Sequence, residues 1–362
     1  MKKKNLRRFY ELYKSDLSLA EIEKLVKRDV PGVYEFYARD MERPDYKQNW
    51  FIRSLVFARN FFLAFLLKLT AARRLAYSLA LFVFFYGLLV GLNQWILFGF
   101  LILNFLLALE VADKFVAKDE LEVAREIQMG LMPKKAVLNG NYDIACFSEP
   151  AREVGGDYYD FIKPRDQSDR TYIVVGDVKG KGMAAALYMV RIQALLQYLF
   201  ERLHSPRDVL IALNQNVGKI LKKDYFISLS ITKIQNEGEF SFCRAGHMPL
   251  IHYQAKVKKC CLVEPKGIAV GLENNGCFDR TIEEISLQPR SDDVLVYYTD
   301  GVVETMNVSG KQYGEDALMK IVCGNSDKSS EEIKELVLAD IAKFRGKAPA
   351  HDDLTLLVMK VK

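Results

Sequence analysis

Val294-Leu295-Val296-Tyr297-Tyr298-Thr299-Asp300-Gly301 is an apolar, aromatic-rich run that stops at an aspartate followed by glycine. Residues of this kind favour a β-strand. A strand buried in a sheet aims whatever follows it at one edge. The pattern recurs in Tyr172-Ile173-Val174-Val175-Gly176-Asp177 and is read again in Gly155-Gly156-Asp157-Tyr158-Tyr159-Asp160. A fourth group, His351-Asp352-Asp353, stands just before a last apolar run at 354–361. Other β-like runs lie at 142–147, 171–175 and 225–234, with helical stretches at 183–203, 206–221 and 330–344. Consecutive strands with a helical pair inserted predict an α+β sandwich rather than alternating βαβ units.

Carboxylates gathered at one sheet edge repel each other unless a cation neutralises them. Hard divalent cations such as Mg²⁺ or Mn²⁺ take oxygen ligands. Two such ions bridged by a carboxylate make a water nucleophilic and clamp a phosphoryl group for in-line attack. Any one Asp-Gly after a strand is more often a simple turn. Four such groups in one chain point to metal-assisted hydrolysis.

These groups carry a family resemblance. ELEVAREIQMGLMP at 120–133 comes first, then EVGGDYYD at 153–160 and GDVKGKG at 176–182. AGHMP at 245–249, TDGVVE at 299–304 and DDLTLL at 352–357 complete the set. In this order they resemble the PPM-type metal-dependent serine/threonine protein phosphatases, in the branch of the stage II sporulation protein E. The resemblance runs from about residue 120 to 362 and implies a four-layer α-β-β-α sandwich. It implies that Asp157, Asp177, Asp300 and Asp352 hold two divalent cations, Mn²⁺ or Mg²⁺. Asp177 then bridges the ions, the backbone carbonyl of Val178 is a further ligand, and Asp353 is a ligand or an outer support. The implied activity is hydrolysis of phosphoserine or phosphothreonine on a regulatory protein, of the anti-sigma-factor antagonist type.

Two departures from the wider family stand out. The position two residues after the bridging aspartate holds Lys179 where eukaryotic-type members have histidine, so the leaving-group acid is unassigned. No arginine is securely placed to hold phosphate; Arg152, Lys179 and Lys181 are the candidates. His247, in AGHMP, reads more readily as part of a structural turn than as a ligand or acid.

Upstream the chain changes character. Residues 75–109 contain no charged side chain. A membrane span needs about 20 apolar residues, with about 17 as the lower limit. Gly91-Leu92-Asn93-Gln94 is the most polar point, so two spans are expected, near 75–91 and 95–110. A single tilted helix and a buried hairpin of a soluble protein are the alternatives. Arg53, Arg59, Lys68, Arg73 and Arg74 precede the run, and positive flanks stay in the cytoplasm. Two crossings would return residues 111–362 to the cytoplasmic side of a bacterial inner membrane.

The chain has 362 residues and a net charge of +5, but residues 1–75 alone carry 17 Lys and Arg against 9 Asp and Glu. A basic flank beside an apolar run fits a lipid surface better than nucleic acid. Residues 1–74 are expected to be a helical module, with a capping box at Ser18-Leu19-Ala20-Glu21 and a stop at Pro31-Gly32. Residues 51–68 read equally as an interfacial amphipathic helix or a core helix. No cleavable signal peptide is expected in the first 50 residues. Residues 111–133 are expected to form a linker helix. Val116, Val123 and Ile127 lie on one partial stripe, and Leu121, Ala124 and Leu131 on another. Such a helix could pair with its copy in a homodimer or simply pack on the domain that follows, residues 134–362. Six scattered cysteines form neither a disulfide framework nor a CxxC pair, as a reducing compartment predicts.

Rival functions are weaker. A catalytically inactive, membrane-anchored scaffold that binds a phosphoprotein has no need of the complete aspartate set. A sensor kinase would need a nucleotide-binding motif, which is not recognisable here.

Overall fold

The computed structural model describes residues 50–133, 141–165, 170–218, 222, 224–235, 238–272 and 276–362. The capping box at Ser18 and the Pro31-Gly32 stop lie outside the described residues. The chain forms two units that divide between Val116 and Ala117.

In the first unit, α1 spans Trp50–Lys68, α2 spans Ala71–Val90, and α3 begins at Asn93. Arg74 closes the end of α1 by donating from Nε to the Leu66 carbonyl at 2.9 Å. Gly91 ends α2 in the left-handed region at φ +73°, which costs glycine no Cβ clash, so the expected break is a tight turn. The two helices run antiparallel. Trp95 packs against Tyr86 beside the turn, while at the other end Arg73 bonds Glu110 at 3.0 Å and Asp113 at 2.6 Å. Phe82, Phe85, Leu88, Leu97, Leu101 and Phe105 face outward and exposed. So wide an apolar surface does not suit contact with water.

Three described helices are long and apolar enough to cross a membrane: α2, α3 and a third, Met183–Phe200. The third belongs to the second unit, where Met189, Ile192, Leu196 and Phe200 are buried in a protein core, so we assign it to that core. The linker helix differs from expectation in one respect. It is not a separate element, because α3 runs unbroken as Asn93–Leu131. No glycine or proline occurs between Gly99 and Gly130 to interrupt it.

The second unit is built on ten strands: β1 Tyr142–Glu149, β2 Asp157–Ile162, β3 Arg170–Val178, β4 Ile227–Gln235, β5 Glu239–Ala245, β6 Leu250–Gln254, β7 Lys259–Val263, β8 Glu284–Leu287, β9 Val294–Tyr298 and β10 Leu354–Val361. They form two five-stranded sheets, ordered β1-β10-β9-β6-β7 and β2-β3-β4-β5-β8, with every named pairing antiparallel. Between β3 and β4 lie α4 (Met183–Phe200) and α5 (Pro206–Val217), which pack on the second sheet. A short α6 (Cys277–Thr281) precedes β8, and α7 (Asp300–Val303) follows β9. Helices α8 (Glu315–Gly324) and α9 (Ser330–Arg345) cover the first sheet.

The period-2 alternation of β10 explains the layering. Leu357 and Met359 enter the core shared with the second sheet, whereas Leu354, Leu356 and Val358 enter the core under α8 and α9. Strands covered on both faces read as continuous apolar runs, as 294–298 and 356–359 do. Thr232 and Tyr297 share a 2.9 Å hydrogen bond between the sheets. The result is the expected four-layer α-β-β-α sandwich. Helix starts are fixed locally. Ser205 accepts from the Asp208 amide ahead of Pro206, and Ser329 forms a capping box with Glu332.

Candidate metal centre

One expectation about the acidic groups is corrected by the strand pairing. Asp157 does not close a strand; it opens β2. Because β2 runs antiparallel to β3, its first residue sits opposite Asp177, near the end of β3. The other sheet repeats the device. Asp300 follows the end of β9, Asp352 and Asp353 precede the start of β10, and β9 and β10 are antiparallel. The Thr299 amide continues that pairing by donating to the Thr355 carbonyl at 3.1 Å. Each sheet therefore delivers carboxylates from one strand end and one strand start.

The proton affinities record how close these groups lie. Burial, then the charges of Asp177 and Asp353, raises Asp157 well above the usual carboxylate range. Asp177 is pushed up to about 8 by burial first and then by Asp300, Asp352 and Asp353. Asp300 is pushed up to about 6 by burial, Asp352 and Glu304. The Lys181 charge opposes both shifts. Its ammonium lies 2.8 Å from Asp352 Oδ2 and also donates to the His351 carbonyl.

Asp353 has a different setting. Its Oδ1 accepts from the Ala151 amide at 2.8 Å and its Oδ2 from the Gly156 amide at 2.6 Å. Burial raises its proton affinity, and these backbone donors oppose the rise. Both oxygens are thus engaged in holding the loop before β2.

The donor set fits hard divalent cations: all the side-chain donors are carboxylate oxygens, and their mutual repulsion falls when a cation lies among them. Gly156 keeps the backbone tight here. A Cβ at that position would lie 2.6 Å from the Val178 carbonyl oxygen and 3.0 Å from Asp177 Oδ1, so a larger residue would push apart these two donors. Among the described residues, no three His, Cys, Asp or Glu side chains already surround one point as the ligands of an ion would. Side-chain rotation about these fixed backbones would be part of chelation.

Of the three candidate phosphate cations, Lys181 alone is placed on the carboxylates. Lys179 lies over the Phe226 ring, 5.0 Å from its centroid, and Arg152 is exposed to solvent. His247 is buried, with Nδ1 2.9 Å from Ser228 Oγ, and Ser228 pairs with Asp177 across β3 and β4. Burial, then the nearby Arg244, lowers its pKa to about 3. It is therefore neutral at physiological pH, held on Ser228 one strand over from Asp177.

Two supporting residues have no counterpart in the sequence reading. Thr299 Oγ1 donates to Asp157 Oδ2 at 2.7 Å and accepts from the Thr355 amide at 3.0 Å. Gln128, on the last turns of α3, donates to the Gly155 carbonyl at 2.6 Å and accepts from the Gly155 amide at 3.1 Å. Both occur inside motifs quoted above, yet neither residue type announces a role. A threonine before Asp-Gly and a glutamine in a charged helix look ordinary until the fold brings their partners close.

Comparison with known proteins agrees with this architecture. Residues 167–362 match the family described as Stage II sporulation protein E (SpoIIE). Phosphoserine phosphatase RsbU of Bacillus subtilis (strain 168) is 29% identical over 246 residues, covering 68% of this chain and 71% of RsbU. Phosphoserine phosphatase RsbP of the same organism is 24% identical over 254 residues, covering 69% of this chain and 59% of RsbP. The solved SiaA-PP2C domain of Pseudomonas aeruginosa superposes with a TM-score of 0.59 at 20% identity, over 69% of this chain and 99% of that domain. At that identity the superposition establishes the fold. With the family match extending over more than half of its length, the chain belongs to the stage II sporulation protein E family of PP2C-type phosphatases.

Proposed function

We propose that this chain is a membrane-anchored, metal-dependent phosphatase that hydrolyses phosphoserine or phosphothreonine on a regulatory protein. The observation that carries the reading is the convergence of Asp157 and Asp177 from one sheet with Asp300 and Asp352 from the other. In this proposal these four and the Val178 carbonyl hold two divalent cations, Mn²⁺ or Mg²⁺, with Asp177 shared between them. Bound there, the cations would supply the positive charge and activated water that phosphoryl transfer requires. Asp353 holds the Ala151–Gly156 loop through its two backbone bonds. Lys181 brings a cation to the rim, where an incoming phosphate would meet it.

The substrate is proposed to be a phosphorylated anti-sigma-factor antagonist. Support comes from the relatives RsbU and RsbP, both named phosphoserine phosphatases. The anchor is proposed to be α2 and the apolar part of α3, inserted as a hairpin in the bacterial inner membrane. The basic residues flanking α2 would keep both ends, and the phosphatase unit, in the cytoplasm. Val123 and Ile127, exposed on α3, offer a seam for pairing with a second copy.

The test uses the full-length chain in detergent micelles with a phosphoserine protein substrate. Mn²⁺-dependent release of phosphate is expected, with a loss of more than roughly 100-fold in Asp177→Asn and Asp300→Asn, beyond what removal of an outer support costs. Full activity in the double variant would sink the mechanism. Calorimetric Mn²⁺ binding without turnover would favour the inactive scaffold.

A further inference from the structure

We infer that a cleft beside Asp352 is a subsite for the polypeptide flanking the phosphorylated residue, and that Arg345 there pairs with an acidic side chain of the substrate. The inference rests on the phosphatase reading of the aspartate cluster. The cleft holds about 260 Å³ and is lined by Glu149, Thr305, Arg345, His351 and Asp352, among others. A water occupies about 30 Å³ of liquid, so this space takes a few side chains rather than one solvent molecule. Asp352 is the single member of the carboxylate cluster on its wall. A chain whose phosphoryl group sat at the aspartates would therefore run its neighbouring residues through the cleft.

Arg345 gives the cleft its chemistry. It is the last residue of α9 and half-buried, and its guanidinium has no hydrogen-bond or ion-pair partner among the described residues. Other half-buried arginines of this unit are committed. Arg207 donates to the Ile282 and Asp279 carbonyls, and Arg244 donates to the Pro265 carbonyl and Glu264. The helix dipole favours a cation at a C-terminus, which accounts for a basic residue on α9. It does not account for a planar, five-donor group left unpaired on a cleft that reaches the aspartates. Such a group matches a carboxylate in two-point contact.

The other walls argue for a peptide and against a small free anion. Glu149 lines the same space and weighs against a freely diffusing phosphate, while Asp352 is already paired with Lys181. An acidic side chain on a substrate already anchored by its phosphoryl group meets Arg345 intramolecularly, where the cost of association has been met elsewhere.

The experiment compares the full-length chain in detergent micelles, with Mn²⁺, on two phosphoserine peptides that differ in one flanking residue, glutamate or glutamine. The wild type is expected to favour the glutamate peptide by roughly twofold to fivefold in kcat/KM, the range for a partly exposed ion pair. Arg345→Ala should abolish the preference, and Arg345→Glu should reverse it toward the glutamine peptide. Fluorescence anisotropy of the same labelled peptides reads the preference without turnover. Equal treatment of the two peptides by the wild type, or an unchanged preference in Arg345→Ala, overturns the subsite. An Arg345-dependent preference in binding with no hydrolysis of either peptide or of p-nitrophenyl phosphate would keep the subsite and remove the phosphatase reading.

Discussion

Thr299 donates a hydrogen bond of 2.7 Å to Asp157, joining a residue that follows β9 in one sheet to the first residue of β2 in the other. Thr299 is fully buried and also accepts from the Thr355 amide. One hydroxyl thus orients a carboxylate of the first strand pair and locks the second pair beside it. Replacing Thr299 by valine keeps the shape but removes both bonds. Mn²⁺ affinity or activity should fall roughly 10- to 100-fold, and the stranded Thr355 amide should cost about 1–3 kcal/mol of stability. Thr299→Ser should recover most of both. Calorimetric Mn²⁺ titration and thermal unfolding measure the two effects, and wild-type affinity in the valine variant would refute the link.

Gln128 makes a second prediction. Its carboxamide grips Gly155 through both donor and acceptor, next to the loop that Asp353 holds from the other side. Gln128→Leu leaves two buried backbone groups of Gly155 without these partners, which should cost about 1–3 kcal/mol for an unsatisfied group. Activity should fall with stability, and raised Mn²⁺ should restore part of it if the proposed cations draw the same loop residues together. A variant as active and as stable as wild type at low Mn²⁺ would show that the contact is incidental.

His247 sets a pH dependence. Its pKa is about 3 in the fold against about 6.5 in an unfolded chain, so the folded state disfavours its charged form. Stability contributed by the neutral ring is complete above pH 6.5. It is lost progressively as pH falls from there toward 3, because the unfolded chain binds the proton first. His247→Gln cannot take that proton, so its urea midpoint should decline less between pH 7 and pH 4 than that of the wild type. Parallel declines would assign the acid sensitivity to other groups.

The apolar hairpin makes a fourth. Phe82 and Leu101 point outward near the middle of the apolar parts of α2 and α3. An arginine at the centre of a span costs about 2.5–3.5 kcal/mol in insertion. The wild-type chain should stay in the membrane pellet after alkaline carbonate extraction, and the double variant Phe82→Arg, Leu101→Arg should move substantially to the supernatant. A wild-type chain recovered in the supernatant would show that the hairpin is not inserted.

Much of the architecture was legible because burial on both faces leaves uninterrupted apolar runs, as at β9 and at 356–359 of β10. The uncharged stretch 75–109 was legible for a related reason: no soluble surface needs so long a run without charge. β5, β6, β7 and β8 were harder. β6, β7 and β8 are short, at four or five residues each, and β7 and β8 lie at sheet edges with mixed burial, so those two carry no clear period. The change in polarity near residue 111 does not break the helix, because the chain supplies no glycine or proline there.

For the candidate metal centre, the sequence by itself determined the chemistry on offer: which carboxylates stand beside turns, in a pattern that suits a cation. It could not determine their arrangement. Asp157 and Asp177 are 20 positions apart and Asp300 and Asp352 are 52, and nothing local says which strand starts lie beside which strand ends. Only antiparallel pairing in two facing sheets brings them to one edge. The supports Thr299 and Gln128 belong wholly to that level, since a hydroxyl or an amide acquires its role from the partner that tertiary packing sets within about 3 Å, while the turn at His247 was legible and packing added its Ser228 partner.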